Sequence, residues 1–180
     1  RILSSIITLL IPLAVFAQPQ FSKPHGLYTQ SSITVGISPV FPGAEVRYTM
    51  DGSTPTINSQ RYSGELTLKK TTLLRAVEVV DGEVVSPVAT SSYIFMHSVL
   101  SQPDNPEGYP SRWGDYTDIS GYAIADYGMD PEMTGDATLR SKIEQGMKDL
   151  PILSIVTDKD NLFGFEKDSV TGGIYIYTGP

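Results

Sequence analysis

Hydrophobic and polar residues alternate in short runs from Ile33 to Phe95. Ile33, Val35 and Ile37 share one parity with Thr34 and Gly36 between them, the period of a half-buried strand. Pro39 and Phe41-Pro42-Gly43 close that run and turn the chain. Val46, Tyr48 and Met50 alternate next, and Asp51-Gly52-Ser53-Thr54-Pro55-Thr56 follows as a turn. Leu66 and Leu68 mark another strand. Leu73 to Val80 predicts a longer one that ends at the hairpin signal Asp81-Gly82. Val84-Val85 and then Val88 to Phe95 return the chain. Short strands at this spacing, without helical period, predict an antiparallel β-sandwich of immunoglobulin or fibronectin type over residues 19–97.

The pattern changes after His97. Residues 98–132 are irregular, yet they hold Pro103, Pro106, Pro110 and Pro131, the single tryptophan Trp113, and Tyr109, Tyr116, Tyr122 and Tyr127. A disordered linker would be poor in aromatics, so this stretch reads as an ordered, aromatic-pinned loop that opens a second domain. Leu139, Ile143, Met147 and Leu150 then fall on one helical face. Asp136 is the expected N-cap, Lys148 suits the C-terminal end of the helix dipole, and Pro151 stops the helix. Ile152 to Val156 predicts a buried strand. Asp158-Lys159-Asp160-Asn161 predicts a turn, and Gly173-Ile174-Tyr175-Ile176-Tyr177 a further strand. The fold class is therefore mainly β, then α+β.

Residues 1–17, RILSSIITLLIPLAVFA, have the layout of a secretory signal peptide. Ile6 to Phe16 is an apolar core too short to span a bilayer comfortably, and Val15-Phe16-Ala17 places small residues where a signal peptidase reads. The expected localisation is secreted or cell-surface, with no membrane association beyond this peptide.

Composition narrows the chemistry. There are 13 Lys+Arg against 20 Asp+Glu, a net charge of −7, and no basic run beyond Lys69-Lys70. Nucleic-acid binding needs a concentrated positive face to displace phosphate counterions, so it is not expected. The chain has no cysteine, which removes disulfides, thiolate catalysis and cysteine-based metal sites. Only His25 and His97 could serve as imidazole ligands or bases, and they sit at opposite edges of the first domain.

Other candidate groups read as structural. Asp51, Ser53, Thr56 and Asn58 offer oxygens but a single carboxylate, which suits a capped turn better than calcium. Tyr48, Tyr62 and Tyr93 lie on strands, where cross-strand packing competes with a sugar-stacking strip. Asp126, Asp130 and Glu132 lack a histidine or basic partner and read as solvated or capping carboxylates, not a glycosidase pair. Asp158-Lys159-Asp160-Asn161 lacks the glycine and closing glutamate of a calcium loop. Trp113 with Tyr109 and Tyr116 reads as core.

Two resemblances add to this reading. Val46-Arg47-Tyr48-Thr49-Met50-Asp51-Gly52-Ser53-Thr54-Pro55-Thr56, Tyr62-Ser63-Gly64, Thr71 to Ala76 and Ser86-Pro87-Val88 resemble the chitobiase/β-hexosaminidase C-terminal immunoglobulin-like domain. The resemblance implies an accessory module without agreed catalytic residues. Val99 to Pro103, Asn105 to Pro110, Trp113-Gly114, Asp126 to Pro131, Leu150 to Asp158, Asp160 to Phe163 and Gly173 to Tyr175 resemble the opening of the CotH family of spore-coat kinase-like proteins and their secreted bacterial relatives. Many such relatives carry a chitobiase-like module directly before this region.

The second resemblance implies an atypical kinase-like domain that moves phosphate from ATP, with Mg²⁺, to a protein substrate. Such transfer needs a cation for the phosphates, metal ligands and a positioning carboxylate. In the family these lie beyond the region matched, so no catalytic or metal residue is assigned, the cofactor-binding residues are left open, and no cofactor is expected within residues 1–180. Residues 98–180 are expected to form only the start of that domain. Gly164 to Thr171 departs from the family pattern as an insertion-like loop. The alternatives are an extracellular carbohydrate-binding or adhesion module, with glycan contact by the sandwich, and an accessory region of a secreted carbohydrate-active enzyme.

Overall fold

The computed structural model describes residues 17–113, 123–158 and 160–163. The signal-peptide reading of residues 1–17 falls almost wholly outside them, as do Tyr116, Tyr122, the loop at 164–171 and the strand expected at 173–177.

Ten strands build the first region: β1 (Gln20–Phe21), β2 (Gly26–Tyr28), β3 (Ile33–Val35), β4 (Ile37–Ser38), β5 (Glu45–Thr49), β6 (Gln60–Arg61), β7 (Leu66–Leu68), β8 (Thr72–Val80), β9 (Glu83–Val84) and β10 (Ala89–Phe95). They form a β-sandwich. One layer is a six-stranded sheet in the order β2-β10-β8-β5-β6, with β9 paired to β8. The facing layer comprises the pairs β1-β4 and β3-β7.

Strand parity explains the core between the layers. Val46 and Tyr48 of β5, Leu74 and Ala76 of β8, and Tyr93 and Phe95 of β10 point inward. They meet Val35, Ile37 and Leu68 from the facing layer. Phe95 and Tyr93 are both 0% exposed, and Tyr28 packs its ring 5.9 Å from Tyr93 and 6.0 Å from Phe95. Burying such large side chains is the principal favourable term in a chain without disulfides.

The expected hairpin at Asp81-Gly82 forms. Asp81 at φ 50° and Gly82 at φ 82° both lie in the left-handed region, which twists the turn to match the strands it joins. It pairs Val79 with Val84 and Val80 with Glu83. Met50, expected to continue its strand, lies beyond the end of β5 and is 47% exposed.

Among the paired strands, the antiparallel expectation meets an exception. β10 pairs with β2 in parallel, Tyr93 opposite Gly26 and Phe95 opposite Tyr28. The two strands are nearly the full length of the sandwich apart in sequence, so no hairpin constrains their direction.

After β10 the chain runs directly into α1 (Met96–Leu100), whose Met96 and Leu100 are buried. A short ribbon follows, β11 (Arg112–Trp113) against β12 (Ala123–Ile124). Then come α2 (Pro131–Gly135), α3 (Ala137–Asp149) and α4 (Asp160–Phe163). Asp136 caps α3 as the sequence indicates, its Oδ1 accepting from the amides of Thr138 at 2.8 Å and Leu139 at 2.9 Å. Leu139, Ile143 and Met147 form a half-buried stripe, whereas Leu150 lies past the helix end and is mostly exposed.

Ile152 to Val156 is not a buried strand. The segment has no ladder partner among the described residues, and Leu153 is 86% and Ile155 79% exposed. Its apolar, β-branched composition suits a strand, but a strand needs a ladder partner and a covering surface that local sequence cannot supply. The expected turn at Asp158–Asn161 begins a helical turn, with the Asn161 amide donating to Asp158 O at 3.0 Å.

Candidate functional site

Three constructions of polar or aromatic groups stand out. The first is inside the sandwich. Glu78 follows Leu74 and Ala76 in parity, so β8 carries a carboxylate inward, and it is 0% exposed. Its Oε1 accepts from the Val40 amide at 2.9 Å and Oε2 from the Phe41 amide at 2.7 Å. Its own amide donates to Ser86 Oγ at 2.8 Å, and its carbonyl accepts from Val85 N at 2.9 Å. A buried carboxylate is tolerated when backbone donors replace water. Glu78 thus ties the 40–41 loop and the 85–86 segment to β8, and Val40, Phe41, Val84 and Val85 stand exposed above it.

The second is the aromatic-pinned loop. Residues 102–113 and 123–130 run side by side. Tyr127 N donates to Asp104 O at 3.3 Å, Ala125 N to Ser111 O at 3.1 Å, and Tyr127 Oη to Pro110 O at 3.1 Å. Gln102 Nε2 donates to Tyr127 O, and the Tyr109 and Tyr127 rings lie 5.7 Å apart. A Cβ on Gly128 would displace the Asp104 carboxylate and crowd Gln102 O, so glycine allows this close approach. Tyr109 remains 47% exposed, against the expectation that it is core.

The third lies where the far segment meets the sandwich. Asp51 Oδ1 accepts from Ser53 N at 3.0 Å and Ser53 Oγ at 2.6 Å, which makes the turn side-chain capped as its sequence suggests. These bonds, the side-chain one foremost, hold the Asp51 carboxyl below the usual aspartate range against a smaller opposing effect of burial. Gly52, at φ +84°, donates its amide to Leu73 O at 3.1 Å and turns its carbonyl to Arg75. Arg75 Nη1 donates to Gly52 O at 2.9 Å, Thr54 Oγ1 at 3.1 Å and Asp158 Oδ1 at 3.2 Å. Thr54 Oγ1 donates to Asp158 Oδ1 at 3.0 Å, and Ser92 Oγ lies 2.6 Å from Ser154 Oγ.

The tyrosines do not form a sugar-stacking strip. Tyr48 and Tyr93 are core, and Tyr62 packs edge-on to Tyr48 at 6.4 Å. Burial raises the pKa of Tyr28, Tyr48 and Tyr93 above the ordinary phenol value; for Tyr48 the neighbouring Tyr62 adds to it. Tyr93 Oη donates to Lys23 O at 3.0 Å.

The remaining candidates are placed individually. His97 Nε2 lies 3.0 Å from Lys69 O, and its ring packs 5.4 Å from Phe95. His25 is exposed. Asp130 caps α2, accepting from Glu132 N at 2.8 Å. Among the described residues no three His, Asp or Glu side chains converge as a metal site. No described helix is long and apolar enough to cross a membrane. The sequence reading missed Glu78 and the Arg75–Thr54–Asp158 cluster. Parity along β8 could have flagged Glu78; nothing local links Arg75 to Asp158.

The fold and these internal contacts define an immunoglobulin-like β-sandwich. Residues 23–90 match the family of the chitobiase/beta-hexosaminidase C-terminal domain. The match stops within β10, although the sheet continues to Phe95. Comparison with curated proteins finds no match.

Proposed function

We propose that the chain is the amino-terminal part of an exported CotH-type protein. In this reading the sandwich is a non-catalytic accessory module, residues 1–17 direct export, and the region from residue 98 opens an atypical kinase-like domain. The observation that carries it is the order of motifs: the chitobiase-type module at 23–90, then Val99 to Pro103, Asn105 to Pro110, Asp126 to Pro131 and Leu150 to Asp158. Packing of Asp104 and Gln102 against Tyr127 and Gly128 supports it, because two separated motif blocks form one knit unit.

ATP and Mg²⁺ would supply and polarise the transferred phosphoryl group in such a domain. The described residues do not fit a site for them. Asp130 and Asp136 cap helices, Asp158 is engaged by Arg75 and Thr54, and Glu78 is buried against amides. No step of phosphoryl transfer is therefore assigned to them. The test is to express the chain with its encoded continuation and measure ATP binding and phosphate incorporation into protein. Saturable ATP binding with Mg²⁺ supports the reading; a continuation that neither binds ATP nor transfers phosphate removes it.

A second reading, an extracellular glycan-binding or adhesion module, is favoured by the exposed apolar group Val40, Phe41, Val84 and Val85 at one end of the sandwich. Chitin oligomers titrated against the chain would shift the amide resonances of these residues. Unchanged spectra with chitin and cell-wall glycans would dismiss it.

A further inference from the structure

Arg75 and Ser92 project from the large sheet on the side away from the sandwich core. Arg75 is opposite Thr90, two residues from Ser92, whereas the intervening Leu74 and Ser91 pair on the core side. Side chains on the away side would meet water if nothing lay over them. Yet Ser92 is 5% and Val77, of the same parity as Arg75, 1% exposed, and Val77 is not part of the core cluster. The outer face is therefore covered at Ser92 and Val77, although Thr90 beside Arg75 stays exposed.

Residues 151–158 supply two anchors to it. Ser154 meets Ser92 at 2.6 Å, and four residues on Asp158 meets Arg75 and Thr54. Ser154 meets the sheet through its hydroxyl while its neighbours Leu153 and Ile155 are largely exposed. The Arg75 side chain is only 15% exposed, although Asp158 is 54% exposed. A pair with one shielded partner and a second donor on the carboxylate holds better than a fully solvated pair, which contributes little. The receiving groove is preorganised: Gly52 is locked to Leu73 of β8, and its carbonyl and Thr54 flank the guanidinium.

We propose that Arg75, Thr54 and Asp158 form a clasp that seats residues 151–158 on the outer face of the large sheet. The sandwich then serves as a fixed base for the polypeptide that follows, not as a freely swinging appendage. The occupant of this surface is the chain's own segment, and Asp158 is the residue that holds it. The proposal does not rest on the kinase-like or glycan reading, since it concerns only how two parts of this chain are joined.

The chain lacks cysteine, so introduced pairs can be spin-labelled without background. Labels at Glu83→Cys and Leu153→Cys, both exposed positions, report the distance from the sandwich to the segment. The intact chain should give one narrow distance distribution. Asp158→Asn should broaden it at least twofold and speed amide exchange across 152–158 about tenfold, with the sandwich's unfolding midpoint unchanged. Thr54→Val provides a second, milder variant and should broaden it less. A distribution already broad in the intact chain overturns the proposal. So does one that stays narrow in the Asp158→Asn, Thr54→Val double variant.

Discussion

The sandwich and the region after it are stabilised in different ways. Residues 20–95 enclose a single apolar cluster with Tyr93, Phe95, Leu74 and Val35 at 0% exposure. From residue 101 onward, Ala125 is the one apolar side chain buried among the described residues, and α2 and α3 bury none completely. The later region is instead held by caps, backbone bonds in the 102–130 loop, and the contacts of Ser154 and Asp158. A core is cooperative, so one large truncation weakens all of it. Polar pins act locally, so losing one frees only its own segment.

The sharpest way to break this contrast is Phe95→Ala. It empties the centre of the sandwich and should cost about 3–5 kcal/mol, enough to unfold a domain of this size by thermal denaturation. Glu78→Ala should follow at roughly 2–4 kcal/mol, because the Val40 and Phe41 amides lose their acceptor and a cavity opens. A smaller loss for Glu78→Ala than for an exposed strand residue would show that solvent already satisfies those amides. Asp136→Ala removes the α3 cap and should cost the helix about 1 kcal/mol, seen as faster exchange at Thr138 and Leu139 with the sandwich midpoint unmoved. If the sandwich melts earlier in that variant, the two regions are one cooperative unit.

The smallest effect expected is from pH. Tyr28, Tyr48 and Tyr93 have folded-state pKa values raised by burial, so the folded state keeps protons that the unfolded state loses near pH 10. Their contribution is fully present below that pH and is lost as pH rises through the raised folded values. Denaturant midpoints should therefore hold steady to about pH 9.5 and fall above it. Phenolate absorbance should appear together with unfolding. Ionisation of all ten tyrosines in a still-folded chain would contradict their burial.

Much of the sandwich was legible because its signals are local. Ile33, Val35 and Ile37, and likewise Val46 and Tyr48, share a face by period-two alternation, and Leu73 to Val80 and Val88 to Phe95 are apolar runs long enough for strands. Asp81-Gly82 specifies its turn by backbone preference, and Asp136 and Asp51 bond amides two or three residues away. Ile152 to Val156 shows where such reasoning fails. Apolar composition predicted a buried strand, but it could not say that, among the described residues, no neighbouring strand would pair with the segment or cover Leu153 and Ile155. The tyrosines fail in the opposite way, since alternation made them strand residues without deciding which side of the sheet is solvent.

The amino-acid sequence by itself therefore determined the longer strands of the sandwich, the Asp51 and Asp81-Gly82 turns, the α3 cap, the helix at 137–149 and the chitobiase-type module, because each depends on residues a few positions apart. Only the tertiary structure decided the parallel pairing of β2 with β10, the burial of Glu78 beneath Val40 and Phe41, and the seat of Asp158 beside Arg75. Those contacts join residues 37 to 83 positions apart, and in the parallel pair nearly 70. No local periodicity encodes which distant donor an acceptor will meet. That choice follows from how the two layers close on their shared core and which outer groups the closed sheet leaves to be covered.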